Sequence, residues 1–269
     1  YKIVTNKHVG ETYLLYQCGT EPPATETSHA AVIEIPVFSV GIDVTPSIAF
    51  LEYLGLVDKI VAFTSPYGID TISSPCFLES IQDGSVLYVK SREEVDALAA
   101  LPETSDETLD RLERAIGFIS PFTTDPPFEM NVRISEYTET TNSGIFEWIK
   151  LYSALFNLES KANEVFEIAD NRFNCVAEVA STTQTDNPKQ PVVLWAYYSE
   201  FCGGWDVAEC PNYYCEYGPM CSAVLRHFEG DYPQEWFVKD CGAFYMPTEQ
   251  FIEFGKDADH WIFPSPDWN

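Results

Sequence analysis

The chain has 269 residues, of which 45% are hydrophobic and 14% aromatic, so it can bury the core of one large domain or of two lobes. Its 42 acidic residues outnumber 15 basic ones, and the net charge of −27 argues against nucleic acid or an anionic membrane as a partner. No apolar run reaches the length of a membrane span, so we expect no direct insertion into a membrane.

Residues 1–35 are predicted to form an N-terminal hairpin and loop. Strand-like segments at 1–4 and 11–17 are separated by a polar turn that contains Gly10, and a polar loop rich in Pro and Thr follows at 21–29.

Residues 36–141 are predicted to form the N-lobe. A β-branched run at 33–40 and a buried run at 59–64 are typical of strands, and the helical pattern at 47–54 lies between them. Strand, helix and strand in this order predict a parallel βαβ unit. Further elements are predicted in the rest of the lobe: a strand at 86–89, helices at 93–101 and 106–119, and a strand at 130–137.

Residues 142–173 are predicted to form one long helix. Apolar side chains recur there with a period of 3.6 residues, Asn142 or Ser143 supplies an N-cap, and no Pro or Gly interrupts 145–173. About 30 residues make a rod of about 45 Å, which suits a spacer between two lobes. We therefore assign 142–175 to an interlobe helix.

Residues 176–269 are predicted to form a smaller C-lobe. After a polar link at 178–191, the pattern predicts a strand at 191–196 and then an aromatic, cysteine-rich loop that ends at Cys221. The remaining predicted elements are a helix at 222–228, a strand at 236–238, a helix at 248–255 and a strand at 258–263. The chain stops directly after this last strand, so we expect the C-lobe to be truncated at its C-terminus.

Eight cysteines indicate the compartment of the protein. Five of them cluster in the second half of the chain without a Cys-x-x-Cys pair, which fits disulfides better than a zinc site. We therefore expect an oxidising, secretory setting, with the pairing left open. The disulfide candidates are Cys18, Cys76, Cys202, Cys210, Cys215, Cys221 and Cys241.

No catalytic signature is present, so we expect a non-enzymatic protein. The four histidines are far apart in sequence, and a metal site that used His260 would need strained geometry. Aromatic residues are the stronger candidates, because 195–205 carries five rings in a segment predicted to be irregular, and Tyr67 and Phe122 lie in corresponding loops of the first lobe. Such rings can bind a flat ligand, or they can pack a disulfide-rich loop.

Several segments resemble the class III substrate-binding proteins of vitamin B12, siderophore, haem and metal-ion importers. Residues 35–46, 50–56 and 58–63 are similar to the opening βαβ unit of that family, and 136–150 is similar to its entry into the interlobe helix. Three shorter stretches add to the resemblance: 256–262 to a late strand of the family, and 73–77 and 205–215 to its algal branch of cobalamin-acquisition proteins. The resemblance implies an α/β fold with two Rossmann-like lobes, mostly parallel sheets and a single long interlobe helix.

The resemblance also implies a function. The protein would capture a metal-chelate nutrient, a corrinoid or a ferric siderophore, between its lobes for uptake, with a membrane transporter or receptor as partner and no intrinsic cofactor. The expected location is extracellular or at the cell surface, or the periplasm of a bacterium. A corrinoid is preferred by a small margin, because histidines are few and the acidic surface repels anionic siderophores. Two alternatives stay open: a structural or cell-surface protein without ligand, and a binder of a bare metal ion.

Candidate ligand-binding residues follow from position in the family and from the aromatic loops. They are Asp43, Thr45, Tyr67, Phe122, Tyr197, Tyr198 and Trp205.

Overall fold

The computed structural model describes most of the chain. The described ranges are residues 1–24, 28–65, 68–69, 72–90, 117–120, 130–186, 190–200, 202–207, 210–220, 222–227 and 245–263. The chain forms two compact units: unit 1 comprises Tyr1–Glu136 and Glu147–Phe166, and unit 2 comprises Tyr137–Phe146 and Glu167–Asn269. Each unit combines a sheet with helices, which confirms the predicted α/β class.

Unit 1 begins with a three-stranded sheet of β1 (Lys2–Asn6), β2 (Glu11–Gln17) and β3 (Ala31–Ile35). The predicted hairpin is confirmed, because β1 and β2 pair antiparallel, and Gly10 supplies the positive φ of 71° that the turn between them requires. The central strand β2 buries three consecutive side chains, Tyr13, Leu14 and Leu15.

The prediction of one strand at 33–40 is wrong in its bounds, because the segment is divided between two strands of different sheets. Its first part lies in β3, and its last residue begins β4 (Val40–Ile42) in the second sheet of the unit. Pro36 lies between them and has no backbone N–H to donate to a ladder, which accounts for the division.

The second sheet of unit 1 is fully parallel. Besides β4 it contains β5 (Ile60–Thr64), β6 (Leu87–Val89), β7 (Gly117–Ser120) and β8 (Met130–Arg133), in the order β6-β5-β4-β7-β8. The chain leaves β4 toward β5 and β6 and later continues on the other side with β7 and β8. The strand order therefore reverses between β4 and β7.

Two helices are described beside this sheet, α1 (Thr45–Leu54) and α2 (Pro75–Gln82). The helical pattern at 47–54 predicted α1, which begins two residues earlier than predicted. Pro46 suits its first turn, and Gly55 adopts a left-handed φ of 71° as its C-cap. The predicted helices at 93–101 and 106–119 lie outside the described residues, except that 117–119 form part of β7.

The segment predicted as one uninterrupted helix is divided into α3 (Asn142–Glu147), α4 (Ile149–Phe156) and α5 (Glu159–Asp186). Asn157 closes α4 in a left-handed conformation with φ of 57°, which an asparagine adopts more readily than most residues. The prediction of a single uninterrupted helix over 142–173 is therefore wrong. The predicted link at 178–191 is wrong as far as Asp186, because α5 continues to that residue.

Among the described residues, no helix combines the length and the apolar character that crossing a bilayer requires.

Unit 2 is built around β9 (Val192–Ser199). Its neighbours β11 (Val224–Arg226) and β13 (His260–Ile262) pair with it in parallel, whereas β10 (Gly204–Val207) folds back on it antiparallel and then pairs antiparallel with β12 (Tyr245–Met246). The sheet is thus mixed, where the sequence predicted mostly parallel strands.

Two predictions in unit 2 have opposite outcomes. The helix predicted at 248–255 is confirmed as α7 (Thr248–Gly255), but the helix predicted at 222–228 is wrong, because 224–226 form β11. The short α6 (Tyr217–Met220) precedes β11, and the predicted strand at 236–238 lies outside the described residues. The core of the unit lies between the sheet and α7 and consists of Leu194, Ala196, Val207, Met246, Phe251 and Phe254.

Candidate functional site

In unit 1, two polar residues meet where the strand order reverses. Asp43 directly follows β4, Ser120 ends β7, and the Ser120 hydroxyl donates a hydrogen bond to the Asp43 carboxylate. Open α/β sheets place ligands at the carboxyl ends of their strands at such a reversal. Asp43 is partly exposed and is therefore well placed for contact with a ligand.

A second carboxyl group lies close to Asp43. Glu136 begins a short 3₁₀ turn after β8, and only 5% of its surface is exposed. Burial raises the pKa of Glu136 to about 7, and the negative charge of Asp43 adds to this shift. No hydrogen-bond donor among the described residues contacts its Oε2 atom. Sequence reasoning missed Glu136, because nothing distinguishes it from 41 other acidic residues except its place after a strand.

Tyr152 of α4 lies behind this pair. Its hydroxyl is 2.7 Å from the hydroxyl of Ser47, and burial, followed by the charges of Glu136 and Asp43, raises the pKa of Tyr152. Thr45 is the first residue of α1 and is partly exposed.

The remaining two predicted ligand-binding residues of this unit, Tyr67 and Phe122, lie outside the described residues.

In unit 2, the structure separates the three predicted ligand-binding residues. Trp205 of β10 is paired with Tyr198 of β9, and their rings lie 5.2 Å apart, whereas Tyr197 is paired with Asp206. Successive side chains of a strand point to opposite faces. Tyr198 and Trp205 therefore share one face of the sheet, and Tyr197 lies on the other.

The Trp205 ring packs against the core of unit 2. It stacks on Phe251 at 4.2 Å with an interplanar angle of 7°, it lies 5.3 Å from Trp261, and its Nε1 donates to Thr248 Oγ1 over 3.1 Å. These contacts favour the packing interpretation of this ring over the ligand interpretation.

On the opposite face, Tyr197 belongs to a polar row. Asp206 is paired with Tyr197 on one side and with Tyr245 of β12 on the other. Burial raises the pKa of Tyr197, and Asp206 raises it further. Burial also raises the pKa of Asp206, although the two hydroxyls oppose the shift. We call these three residues the tyrosine–aspartate row.

Aromatic rings adjoin this row. Trp195 precedes Tyr197 by two residues in β9 and so lies on the same face. Its ring stacks on Tyr217 at 5.3 Å and lies 5.1 Å from Tyr214, whose ring is 4.1 Å from Tyr213. We call Trp195, Tyr213, Tyr214 and Tyr217 the aromatic wall. All four are partly exposed.

The aromatic wall is attached to its surroundings at two points. A disulfide joins Cys210 to Cys215 and encloses two of its tyrosines. The Asn142 side chain donates to the Tyr213 carbonyl oxygen over 3.2 Å and to the Glu216 carboxylate over 3.0 Å.

The other cysteines have mixed outcomes. Cys202 is also disulfide-bonded, and the candidates Cys221 and Cys241 lie outside the described residues. The prediction is wrong for Cys18 and Cys76, which are free and exposed. They lie in separate elements, Cys18 in the turn after β2, where it contacts Glu34, and Cys76 in the first turn of α2.

Within the part of the chain that the structure describes, no three His, Cys, Asp or Glu side chains converge as a set of metal ligands.

Comparison with known proteins gives one relative by sequence and several by structure. No protein-family profile matches the chain. It is 31% identical over 134 residues to an uncharacterized lipoprotein of Methanocaldococcus jannaschii, an alignment that covers 49% of this chain and 28% of that protein. The chain thus spans less than a third of the length of this relative.

Two solved structures share the fold. One is from an ABC-type Fe³⁺-hydroxamate transport system of Saccharomonospora viridis, with a TM-score of 0.50, 15% identity, and coverage of 85% of this chain and 74% of that one. The other is a periplasmic haem-binding protein of Pseudomonas aeruginosa, with a TM-score of 0.50, 14% identity, and coverage of 84% and 71%. These neighbours are class III periplasmic binding proteins, and the chain has their fold.

Proposed function

We propose that the protein is a non-enzymatic solute-binding protein that captures a metal chelate for uptake. The observation that carries this proposal is the aromatic wall, whose Trp195 lies in β9 where the parallel pairing with β13 ends; parallel strands flank β9 on both sides. Partly exposed rings offer a stacking surface to a flat or largely apolar ligand. In α/β sheets, ligands bind at the carboxyl ends of the parallel strands, and β13 ends opposite Trp195.

The names of the two similar solved structures indicate which ligands to test first. Their names describe Fe³⁺-hydroxamate transport and haem binding, so ferric chelates and haem precede the corrinoid that the sequence resemblance implied. By the same comparison, an ABC transporter is the proposed membrane partner. The lipoprotein relative supports an exported location, in the periplasm or at the cell surface.

Fluorescence titration tests the proposal. Haemin, a ferric hydroxamate and cobalamin are each added to the protein, and quenching of the tryptophans is followed and checked by calorimetry. We expect saturable binding of at least one chelate. Tyr217→Ala, which removes the ring stacked on Trp195, should weaken that binding about tenfold, whereas Tyr198→Ala on the opposite face should not.

Two results would contradict the proposal. The first is the absence of saturable binding across the panel, which would favour a structural or cell-surface protein without ligand. The second is an equal loss of affinity in the Tyr217→Ala and Tyr198→Ala variants, because the aromatic wall would then not be the binding surface.

A further inference from the structure

We propose that α5 carries a surface on which a second copy of this chain docks in antiparallel orientation, with Cys175 of both copies at the two-fold axis. The pair is weak while Cys175 is a thiol, and it becomes lasting when the two thiols join in a disulfide. This inference concerns the assembly of the protein and goes beyond the proposed capture of a chelate.

The helix α5 has two apolar faces, and the first of them packs within the molecule. An α-helix turns by about 100° per residue, so residues three or four apart share a face. The residues of this first face are all buried or partly buried: Ala162, Phe166, Ala169, Phe173, Ala177 and Ala180. This face accounts for the packing of the helix against its own chain.

The second apolar face lies on the other side of α5 and is exposed. Its residues follow one another at intervals of four, three, four and three positions, and we call them the outer stripe: Ile168, Arg172, Cys175, Val179 and Thr182. Ile168 is 46% exposed, Val179 is 59% exposed, and Val176 on the rim of the stripe is 51% exposed. Intervals of this kind are the heptad spacing by which two helices pack against each other. Within the part of the chain that the structure describes, no element covers this stripe.

The charges beside Cys175 favour a second copy in antiparallel orientation. Arg172 lies three residues before Cys175 and Glu178 lies three residues after it, and both side chains are exposed. If two copies pair antiparallel about Cys175, each Arg172 lies level with the partner's Glu178, so opposite charges alternate along the contact. A parallel pair would place each of these charges level with the same charge of the other copy, which is unfavourable. The outer stripe is therefore complementary to itself in the antiparallel orientation.

Two further contacts suit this orientation. On one side of the contact, Val179 lies beside the aliphatic part of the partner's Arg172, which long basic side chains use to cover apolar surface. On the other side, the Glu178 carboxylate lies beside the amide group of the partner's Asn171, which can donate a hydrogen bond to it. The two-fold axis makes each contact occur twice.

The geometry of such a pair also fits a disulfide between the two copies of Cys175. The axes of packed helices are about 8–10 Å apart, and Cα atoms lie about 2.3 Å from their axis. Two Cα atoms that face each other are then about 3.5–5.5 Å apart, which overlaps the range of about 4.4–6.8 Å in disulfides. Cys175 is free and exposed, whereas Cys202, Cys210 and Cys215 are disulfide-bonded. An unpaired cysteine in a chain with disulfides is a candidate for pairing between molecules.

The covalent step is thiol–disulfide exchange with a small-molecule disulfide such as oxidised glutathione. The Cys175 thiolate of one copy attacks a glutathione sulfur, which forms a mixed disulfide and releases one reduced glutathione. The Cys175 thiolate of the second copy then attacks the protein sulfur of the mixed disulfide and releases the second reduced glutathione. The two protein thiols thus lose two electrons and two protons, and oxidised glutathione takes up both pairs.

The pair should be weak without the disulfide, for two reasons. The outer stripe is about 21 Å of helix, and a contact of this length buries less than the roughly 1,200 Å² of a lasting complex. The net charge of −27 on each copy also adds a repulsion, which salt screens over about 8 Å at physiological ionic strength. We therefore expect the dimeric fraction of the reduced protein to rise with salt concentration, as measured by analytical ultracentrifugation.

Disulfide formation in the full chain tests the inference. Three variants each keep one of the exposed free cysteines, Cys18, Cys76 or Cys175, and have Ser at the other two positions. Each variant is incubated with reduced and oxidised glutathione, and covalent dimer is followed on non-reducing gels and by mass spectrometry. We expect the variant that keeps Cys175 to dimerise at least tenfold faster than the other two, because only its thiols are held together by the pairing of the helices. Equal rates in all three variants, or no dimer through Cys175, would overturn the inference.

A charge placed on the outer stripe tests the role of the helix face. In the variant that keeps Cys175, Val179→Glu should slow dimerisation to the rate of the variant that keeps Cys18. The matched control is Ile252→Glu, because Ile252 lies in α7, is 63% exposed and lies outside the outer stripe. The control should leave the rate unchanged, and circular dichroism verifies that both variants are folded. Dimerisation that is the same in the Val179→Glu variant and in its parent would refute the proposed surface.

New cysteines test the orientation of the two copies. In a chain with Cys18→Ser, Cys76→Ser and Cys175→Ser, the substitutions Ile168→Cys and Thr182→Cys are made in separate variants. In the antiparallel pair, position 168 lies level with position 182 of the other copy, whereas the two copies of position 168 are about 21 Å apart. We therefore expect a disulfide only when the two variants are mixed. Dimers of either variant alone would indicate a parallel pair and would overturn the inference, as would a mixture that forms no dimer.

Discussion

Substitution of Glu136 by Gln gives the sharpest test of how unit 1 is held together. The pKa of the Glu136 carboxyl is raised from 4.5 to about 7, first by burial and then by Asp43. The folded state therefore holds a proton that the unfolded chain loses above pH 4.5. The stabilisation of the folded state by this bound proton is complete below pH 4.5 and is lost as the pH rises toward and through 7.

The magnitude follows from the shift. Each pKa unit corresponds to about 1.4 kcal/mol, so ionisation of this carboxyl should lower the free energy of unfolding by about 3 kcal/mol between pH 4.5 and 7. Glutamine has nearly the same shape and does not ionise. We therefore expect Glu136→Gln to match the native protein near pH 4.5 and to exceed its stability by up to about 3 kcal/mol above pH 7.

Hydrogen exchange measured by mass spectrometry provides the assay, because it reports on unit 1 separately from unit 2. Protection of peptides that cover β4 and β8 is compared between variant and native protein at each pH, which cancels the intrinsic pH dependence of exchange. Glu164→Gln, at an exposed position of α5, controls for the loss of one negative charge. A variant that is less protected than the native protein at pH 8 would refute the reasoning.

Two further predictions concern unit 2. Trp205→Ala should lower the free energy of unfolding of this unit by about 3 kcal/mol, because it removes the ring stacked on Phe251. Chelate binding should stay intact. A melting temperature near the native value together with lost binding would show instead that the ring contacts the ligand. Replacing both Cys210 and Cys215 by Ser should lower the free energy of unfolding of unit 2 by about 2 kcal/mol. It should also weaken chelate binding at temperatures where the unit is still folded, because the disulfide encloses part of the aromatic wall. Calorimetric titration of that double variant checks this, and an unchanged affinity would count against a structural role of the disulfide in the site.

The sequence predicted correctly those turns and helices whose formation depends on residues close together in the chain. Gly10 predicted the turn of the first hairpin, and the helical pattern at 47–54 predicted α1. The break at Asn157 was missed, because an asparagine adopts a left-handed conformation only where the surrounding structure ends the helix. The strand at Val224–Arg226 was missed because its pairing partner, β9, lies about 30 residues earlier in the chain.

The sequence by itself determined the α/β class, the acidic surface, the scarcity of histidine, and the concentration of aromatic residues near Trp195. It did not determine which of those rings act together. Tyr197 and Tyr198 are chemically identical neighbours, and only the pairing of β9 with β10 places one in a row with Asp206 and Tyr245 and the other beside the core. Side chains alternate with a period of two, so a shift of one residue in that register would exchange their roles.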